Sequence, residues 1–265
     1  MIALFTDFGT GEAYVAQMKG VIVSLAPQVP LLDLSHEAGR FAIAQAAYLL
    51  DKSARYFPAG TIFVAVVDPG VGTARRAILM ISHANKCYVG PDNGLFTYVL
   101  RREGLQEAYE LTNPQYFRTP AVSPTFHGRD IFAPVAAHLA RGVPPTAFGR
   151  RLPAPVTLTV PESHMKGDTA EGAVVYIDHF GNIITNIPGT FLDPLPYGQR
   201  LRITLATQTR YVPYVRTYAD GLPGQLVCLR SSDDECEVAL PQGDAAASCQ
   251  VGIGTPVSLR RVEGA

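Results

Sequence analysis

Through residue 141, short apolar runs alternate with segments of helical periodicity. Residues 2–8 have the character of a β-strand, and residues 12–25 carry apolar side chains at helical spacing until Pro27 interrupts the pattern. Such alternation is typical of parallel strands joined by crossover helices, and the apolar run at 61–67 is typical of a strand buried on both faces. The sequence therefore predicts an α/β fold, a Rossmann-like domain with a mainly parallel sheet. The other strands predicted in it are 30–35, 77–82, 86–89 and 107–111, and the other predicted helices are 41–56, 93–102 and 130–141.

The pattern changes beyond a proline-rich segment at residues 142–161. Proline interrupts regular elements because its ring fixes φ and its nitrogen has no proton to donate. After this segment, short strand-like runs follow one another without a clear amphipathic helix, which is typical of a small β-barrel or sandwich. We therefore predict an α/β domain over residues 1–155 and a C-terminal β-barrel domain over residues 156–265. The strands predicted in the second domain are 172–178, 182–187, 201–205, 225–229, 235–240 and 256–262.

The balance of charge argues against two classes of partner. The chain of 265 residues has 22 basic and 23 acidic side chains. A surface so close to neutral does not gather the phosphates of nucleic acids or anionic lipids. No uncharged apolar run approaches the roughly 18 residues that a membrane-spanning helix needs, and the first residues lack the basic and apolar regions of a signal peptide. We therefore expect a cytoplasmic protein that binds neither nucleic acid nor membrane.

Three loops of the first domain carry groups that can do chemistry. In an open α/β sheet, ligands bind at the carboxyl ends of the strands, where the backbone is free of the sheet. Asp7 follows the first predicted strand, Asp68 follows the strand at 61–67, and His127 lies just before the last predicted helix. Asp7 can accept two hydrogen bonds from vicinal ribose hydroxyls, or it can cap the next helix or turn.

Asp68 begins an Asp-Pro-Gly turn, and Arg75 follows it seven residues later. Taken alone, Asp-Pro-Gly is ordinary turn chemistry. Glycines at 70 and 72 let the loop fold back, so that Arg75 can pair with Asp68, keep it ionised and fix its direction. A carboxylate held in this way can orient a water molecule or an imidazole. His127 has either a role beside it or a structural role.

Two further patterns leave alternatives open. The segment from Asp178 to Asn182 connects two predicted strands, and by itself it indicates a hairpin loop. Metal-assisted hydrolysis would need a hard-cation site, and the side chains that could form one are Asp33, His36, Asp68, His127 and Asp130. None of them has the H-E-x-x-H type of spacing. The four cysteines show no C-x-x-C spacing, so we interpret them as reduced thiols rather than a zinc or redox site.

Five motifs occur in order along nearly the whole chain. They are Thr6-Asp7-Phe8-Gly9, Val66-Val67-Asp68-Pro69-Gly70-Val71-Gly72, Gly90-Pro91-Asp92-Asn93-Gly94-Leu95, Thr125-Phe126-His127-Gly128-Arg129-Asp130 and Ile177-Asp178-His179-Phe180-Gly181-Asn182. Together they resemble the motifs of the S-adenosylmethionine hydroxide adenosyltransferases, a family related to fluorinating and chlorinating enzymes. The resemblance implies hydrolysis of S-adenosyl-L-methionine at the ribose 5′ carbon, giving adenosine and L-methionine. It implies no metal and no redox cofactor.

The resemblance also assigns roles to residues of this chain. It implies a catalytic triad of Asp68, Arg75 and His127 around the attacking water. For substrate binding, it implies contacts from Asp7 to the ribose hydroxyls, Phe126 near the ribose, Asp178 to the methionine amino group, Asn182 to adenine and Ser231 to the methionine carboxylate. The segment 230–236 departs from the family pattern of an Asn-Ser followed by an aromatic residue.

The halogenating relatives carry hydroxyl-bearing residues at the positions that match Asp68, Val71 and Gly128 here. A carboxylate in that place would repel a halide ion, so water is the expected nucleophile. The family further implies a homotrimer with sites at subunit interfaces, where Asp178 and Asn182 of one chain would meet the triad of another. The alternatives to this metal-free S-adenosylmethionine hydrolase are a non-catalytic module that senses S-adenosylmethionine or adenosine, and a metal-assisted hydrolase.

Overall fold

The computed structural model describes residues 1–262 and divides into two compact units, Met1–Leu158 and Thr159–Ala265. The sequence-based boundary lies in the same connecting segment, between residues 155 and 156. The first unit is built on one sheet with helices on both faces, and the second on an antiparallel sheet that curls into a barrel. Both predicted fold classes are confirmed.

The sheet of the first unit has six strands in the order β2-β1-β3-β5-β4-β6. Their bounds are β1 Ile2–Thr6, β2 Leu31–Ser35, β3 Ile62–Val66, β4 Ala77–Ser82, β5 Cys87–Pro91 and β6 Leu105–Glu110. The strands from β2 to β5 in this order pair in parallel. The sheet is therefore parallel over the part that carries the first two chemically important loops.

One part of this sheet differs from the simple parallel pattern. Strand β4 pairs antiparallel with both β5 and β6. Only residues 83–86 connect β4 to β5, and a parallel pairing needs a crossover of about a dozen residues or more. The chain turns instead as a hairpin, with Asn85 in the left-handed region at φ 54°.

Four helices cover the sheet of the first unit. They are α1 Tyr14–Leu25, α2 Ile43–Ala54, α3 Thr97–Glu103 and α4 Ala133–Ala140. Side chains alternate across a strand, so Ile2 and Leu4 of β1 pack with α1 and α4, whereas Ala3 and Phe5 pack with α2 and α3. Among residues 1–262, no helix has both the length and the apolar character required to cross a bilayer.

Seven strands of the second unit follow the order β11-β10-β14-β8-β9-β13-β12, and β7 pairs with β8. Their bounds are β7 His164–Lys166, β8 Thr169–Ile177, β9 Ile183–Pro188, β10 Arg200–Leu205, β11 Gln208–Pro213, β12 Val227–Arg230, β13 Glu235–Ala239 and β14 Pro256–Arg261. A bridge between Tyr214 and Cys228 joins the two outermost strands of this order. The barrel is therefore nearly closed.

Two strands and one α-helix in the described part of the second unit were absent from the sequence-based prediction. Strands β7 and β11 are mostly exposed, so they lack the alternation of apolar and polar residues by which a half-buried strand is found. A short helix, α5 Ala245–Cys249, begins after Asp244, whose side chain accepts a hydrogen bond from the backbone N of Ala247 at 2.7 Å. A five-residue helix is too short to show the periodicity of an amphipathic helix in the sequence.

The close packing of β5 on β3 predicts a strict requirement for glycine at position 90. A Cβ on Gly90 would lie 2.2 Å from the carbonyl oxygen of Ala65. Gly90→Ala should therefore lower the free energy of unfolding by about 2 kcal/mol, because the neighbouring backbone must move. The matched control is Gly20→Ala, since a Cβ on Gly20 in α1 meets nothing within 4 Å and should stabilise the helix by about 0.8 kcal/mol. Urea unfolding followed by circular dichroism measures both; equal stabilities would contradict the packing argument.

Candidate active site

Strands β1 and β3 are adjacent and parallel, with Thr6 beside Val66 at their carboxyl ends. The loops that begin with Asp7 and Asp68 therefore leave the sheet at the same edge. This is the edge at which ligands bind in open α/β sheets. The topology thus explains why groups far apart in sequence start from neighbouring positions.

Asp68 and Arg75 form a two-point ion pair within their loop. Arg75 Nε donates to Asp68 Oδ1 at 2.8 Å, and Arg75 Nη2 donates to Asp68 Oδ2. The two side chains are only 5% and 9% exposed. Because two parallel hydrogen bonds fix both planar groups, the carboxylate has a defined direction.

His127 joins this pair through the same guanidinium. Its Nδ1 lies 2.8 Å from Arg75 Nη2. Arginine has only donors, so Nδ1 accepts the hydrogen bond and carries no proton. In the neutral imidazole the proton must then sit on Nε2. The structure therefore brings together the three side chains predicted as a triad, and it defines the tautomer of His127.

The surroundings of His127 favour the neutral ring. Burial lowers the pKa of His127, the positive charge of Arg75 lowers it further, and the negative charges of Asp68 and Asp130 oppose this shift. Protonation would place a proton on Nδ1, facing the guanidinium. The imidazole is therefore neutral at pH 7 and offers an N–H donor at Nε2.

Close approach of two loops makes the His127 contact possible. Gly72 has φ +77°, and a Cβ there would lie 2.3 Å from the carbonyl oxygen of Pro124. Any other residue would push the loop of Asp68 and Arg75 away from the segment that carries His127. The guanidinium of Arg75 also lies 5.4 Å from the centre of the Phe132 ring, in the π-helical turn Gly128–Phe132 before α4.

Phe126 directly precedes His127 in the sequence and belongs to a cluster of aromatic side chains. Its ring packs edge to face against Phe8 at 5.8 Å and Tyr14 at 5.4 Å, and the Arg129 guanidinium lies 5.0 Å from its centre. These four residues, with Gln17, Ser123 and Thr125, line a cavity of about 390 Å³. The cluster offers an apolar surface at the same loops that carry the charged groups.

Asp7 takes part in a contact that the sequence did not reveal. Its Oδ2 accepts a hydrogen bond from the backbone N of Phe41 at 2.9 Å. Phe41 has φ 61° and is 70% exposed, an unusual combination for an aromatic residue. Asp7 thus holds the loop after β2 in a strained conformation, and it does so through Oδ2.

In the second unit, Asp178 and Asn182 hold one tight loop. Asp178 Oδ1 accepts from the backbone N of Phe180 and of Asn182, at 2.9 and 2.8 Å, and its Oδ2 accepts from Asn182 Nδ2 at 2.9 Å. Helix α5 supports the loop, because the backbone N of Ala246 donates to the Gly181 carbonyl at 2.9 Å. The loop is a turn between β8 and β9, as its composition indicates, and it is also one wall of a cavity.

That cavity has a volume of about 530 Å³, and its lining includes Asp178, Phe180, Asn182, Tyr218, Leu240 and Pro241. Tyr218 and its partner Glu237 were not recognised from the sequence. The Tyr218 hydroxyl donates to Glu237 Oε1 at 2.7 Å, and Glu237 is only 4% exposed. Burial raises the pKa of Glu237, and the charge of Asp178 raises it further, whereas the Tyr218 hydrogen bond lowers it. Glu237 lies inside the predicted strand 235–240, and nothing in the sequence of that strand indicates a buried partner for Tyr218.

Ser231 lies apart from this group. Its hydroxyl accepts from the backbone N of Asp233 and of Glu235, at 3.3 and 3.2 Å, within the turn between β12 and β13. It lines a different cavity of the second unit, together with Arg216 and Arg230. The structure therefore does not bring Ser231 to the cavity of Asp178 and Asn182.

The side chains considered for a cation site fall into three separate pairings. His36 Nε2 lies 3.0 Å from Asp33 Oδ1. Asp68 forms an ion pair with Arg75. Asp130 forms ion pairs with Arg118 and Arg129. Within the described part of the chain, no three His, Cys, Asp or Glu side chains are grouped so that they could hold a metal ion.

The position of His127 predicts opposite pKa shifts in two variants. Arg75→Met removes a positive neighbour, so the pKa of His127 should rise. Asp68→Asn removes a negative neighbour, so the pKa of His127 should fall below its already lowered value. An NMR titration of the imidazole resonances measures both shifts. Shifts of the same sign in the two variants would show that His127 is not in electrostatic contact with this pair.

The chain also matches known proteins over almost its whole length. The sequence profile of the SAM hydroxide adenosyltransferase N-terminal domain matches residues 2–149, and that of the C-terminal domain matches residues 172–258. The (R)-S-adenosyl-L-methionine hydrolase of Thermus thermophilus is 37% identical, covering 97% of this chain and 98% of that protein. A fluorinase of Nocardia brasiliensis is 35% identical over 88% of this chain and 87% of its own.

A solved structure agrees with these sequence matches. An uncharacterized conserved protein from Thermotoga maritima superimposes with a TM-score of 0.93 at 35% identity, covering 98% of this chain and all of that one. The resemblance noted from the five motifs is thereby confirmed. The chain belongs to the SAM hydroxide adenosyltransferase family.

Proposed function

We propose that this protein is an S-adenosyl-L-methionine hydrolase that forms adenosine and L-methionine. The observation that carries the proposal is the buried pair of Asp68 and Arg75, hydrogen-bonded to His127, at the carboxyl edge of the sheet. A curated relative that is similar over 97% of the chain is named (R)-S-adenosyl-L-methionine hydrolase. The cluster supplies a directed carboxylate, a fixed positive charge and an N–H donor, which together suit the activation of one water molecule.

The reaction requires little acid catalysis. The sulfonium sulfur of the substrate is already positive, so it leaves as a neutral thioether when it takes the electron pair of the C5′–S bond. The oxygen of water forms the new bond to C5′ and loses a proton. The weak partner is therefore the nucleophile, and the enzyme gains most by positioning and activating water.

The tautomer of His127 divides the roles within the triad. Nδ1 is occupied by Arg75, and Nε2 carries a proton, so the neutral ring donates to the water oxygen rather than accepting from it. We assign acceptance of the proton to Asp68, whose two oxygens each keep a free lone pair beside the Arg75 bonds. Arg75 stabilises the hydroxide character of the nucleophile through its positive charge.

Substrate binding is assigned to residues of both units. Asp7 accepts from the ribose hydroxyls, Phe126 lies against the ribose, Asp178 binds the methionine amino group and Asn182 contacts adenine. The aromatic cluster around Phe126, with its own cavity, and the cavity beside Asp178 and Asn182 support these assignments. Ser231 remains the candidate for the methionine carboxylate, and in the described chain its hydroxyl serves the turn between β12 and β13.

Water is preferred over halide for an electrostatic reason. Asp68 is a buried carboxylate whose charge is shared with a single arginine. A halide beside it would bring a second negative charge into the same pocket. The relation to a fluorinase therefore concerns the family, whereas the residues at this site favour a neutral nucleophile.

Incubation of the purified protein with S-adenosylmethionine should release adenosine and L-methionine in equal amounts. Asp68→Asn should lower kcat by about a thousandfold, because the carboxylate that accepts the proton is lost. Activity should fall as the pH drops below 6.5, through the lowered pKa of His127, since the protonated ring loses its bond to Arg75. Chromatography of the products measures all three effects.

The assay has outcomes that separate the alternatives. Binding of S-adenosylmethionine without turnover, unchanged in Asp68→Asn, would indicate a sensor. Loss of activity with a chelator, restored by a divalent ion, would indicate metal-assisted hydrolysis. Formation of a 5′-halo nucleoside in the presence of fluoride or chloride would overturn the choice of nucleophile.

We further propose that the enzyme is a homotrimer in which each site combines the triad of one subunit with Asp178 and Asn182 of its neighbour. The support is that the proposed residues are divided between two units, each with its own core. We place the enzyme in the cytoplasm. Its four cysteines are free, and burial raises the pKa of Cys87 to about 11 and that of Cys236 to about 12, so these thiols remain protonated and unreactive.

A mixing experiment tests the shared site. Asp68→Asn and Asp178→Ala should each be nearly inactive, and reassembly of an equal mixture should restore about a quarter of the wild-type activity, because a quarter of the interfaces then pair two intact halves. Light scattering should give three times the chain mass of 28.5 kDa. Each variant carried alone through reassembly is the control. No recovery in a mixed trimer would mean that each site lies within one chain.

A further inference from the structure

Two buried side chains next to Asp7 have no role in the site described so far. Thr6, the last residue of β1, is fully buried, and His36, which follows β2, is 6% exposed. Thr6 Oγ1 and His36 Nδ1 are 2.9 Å apart. They join the ends of two adjacent parallel strands at the edge where Asp7 leaves the sheet.

The contact continues on both sides. The backbone N of Phe8 donates to Thr6 Oγ1 at 3.3 Å. On the other side, His36 Nε2 lies 3.0 Å from Asp33 Oδ1, and Lys19 Nζ donates to Asp33 Oδ2 at 2.5 Å. The residues immediately before and after Asp7 are therefore both tied to one line of polar groups.

The charges along this line set the direction of each hydrogen bond. Burial alone would raise the pKa of Asp33, but Lys19 and His36 lower it overall, so Asp33 is ionised. With its proton on Nε2, the nitrogen that faces the Asp33 carboxylate, His36 has Nδ1 as an acceptor. Thr6 then donates its hydroxyl proton to Nδ1 and accepts from Phe8. Every polar atom of Thr6 is thereby used.

Backbone bonds connect the same two loops. The backbone N of Gly9 donates to the carbonyl of His36 at 2.8 Å, and the backbone N of Ala38 donates to the carbonyl of Thr6 at 3.3 Å. Gly9 has φ +74°, so the chain turns sharply directly after Asp7 and Phe8. The loop of Asp7 and the loop after β2 therefore form one connected structure.

The strained backbone of Phe41 pulls against the hydrogen bond that Asp7 accepts from it. Asp7 Oδ2 holds the backbone N of Phe41, whose φ of 61° is unfavourable for a bulky residue. A carboxylate on a free loop would move to relieve this strain. Asp7 can keep its direction only because Thr6 and Phe8, on either side of it, are fixed by the His36 line.

We propose that His36 and Thr6 are positioning residues that hold the Asp7 carboxylate in the direction needed to bind the ribose hydroxyls. This inference rests on the proposed function of Asp7. His36 does not contact the substrate; it acts through Thr6 and the backbone of the Asp7 loop. Lys19 pairs with Asp33 at the far end of the line.

The test uses Thr6→Val, which keeps the shape of the side chain and removes its hydroxyl. We expect the KM for S-adenosylmethionine to rise about tenfold while kcat changes less than about twofold, because substrate binding is weakened and the triad is intact. The matched control is Thr61→Val. Thr61 is also a buried threonine and directly precedes β3, but its hydroxyl donates to the Pro58 carbonyl at the end of β3 that lies opposite the site, so KM and kcat should both stay at wild-type values.

A double-mutant cycle separates positioning from general stability. If Thr6 acts through Asp7, then Thr6→Val should raise KM no further in an Asp7→Asn background, whereas independent effects would multiply. His36→Leu should behave like Thr6→Val, and His36→Asn should recover part of the affinity, since its amide can bond Thr6 from the position of Nδ1. Multiplying effects in the cycle, or wild-type KM in Thr6→Val, would overturn the proposal.

A second measurement does not depend on catalysis. Phe41 is exposed, and its resistance to chymotrypsin reflects how firmly Asp7 holds its backbone. Cleavage after Phe41 should be at least about fivefold faster in Thr6→Val than in Thr61→Val, because local opening is easier. If the wild-type enzyme released no adenosine, the proposed function would fail while this comparison still decided the role of Thr6. Equal cleavage rates would show that Thr6 does not hold the loop.

Discussion

The guanidinium of Arg75 is the group on which the candidate active site depends. It donates two hydrogen bonds to Asp68 and a third to His127, so one planar cation fixes the direction of a carboxylate and the tautomer of an imidazole. The pair is almost fully buried. A buried charge that loses its partner costs far more than a surface pair contributes, and for this reason the three side chains form one unit rather than three separable contacts.

The sheet determines where this unit can form. Parallel pairing of β1 and β3 starts the loops of Asp7 and Asp68 from neighbouring strand ends. Gly72 then lets the second loop approach the Pro124 carbonyl closely enough for His127 to reach Arg75. Asp7 is held differently, by the Thr6 and His36 contacts on its flanks. The two halves of the site in this unit are thus built on adjacent strands by independent sets of polar contacts.

The candidate binding residues of the second unit are positioned in a different way. The barrel offers no strand ends that converge, so its candidate binding residues lie in the turn between β8 and β9 and on β13. Asp178 accepts three hydrogen bonds from its own loop. These bonds make the loop rigid, and they leave the carboxylate fewer lone pairs for a ligand. The Tyr218 hydroxyl, which donates to the buried Glu237, adds a polar group to the lining of the cavity. A small cavity with few, fixed polar groups is typical of a site that selects by shape and orientation.

Local patterns in the sequence determined the two fold classes, the order of most strands and helices, and the pairing of Asp68 with Arg75, because these depend on periodicity and on residues within one loop. Strand β11 and helix α5 were not predicted from the sequence, because an exposed strand and a five-residue helix show little periodicity. Only the tertiary structure decided that β4 pairs with β6, that Nδ1 of His127 accepts from Arg75, and that His36 meets Thr6. Each of these facts concerns atoms that chain connectivity leaves far apart, and their contacts are set by strand register and burial rather than by neighbours in sequence.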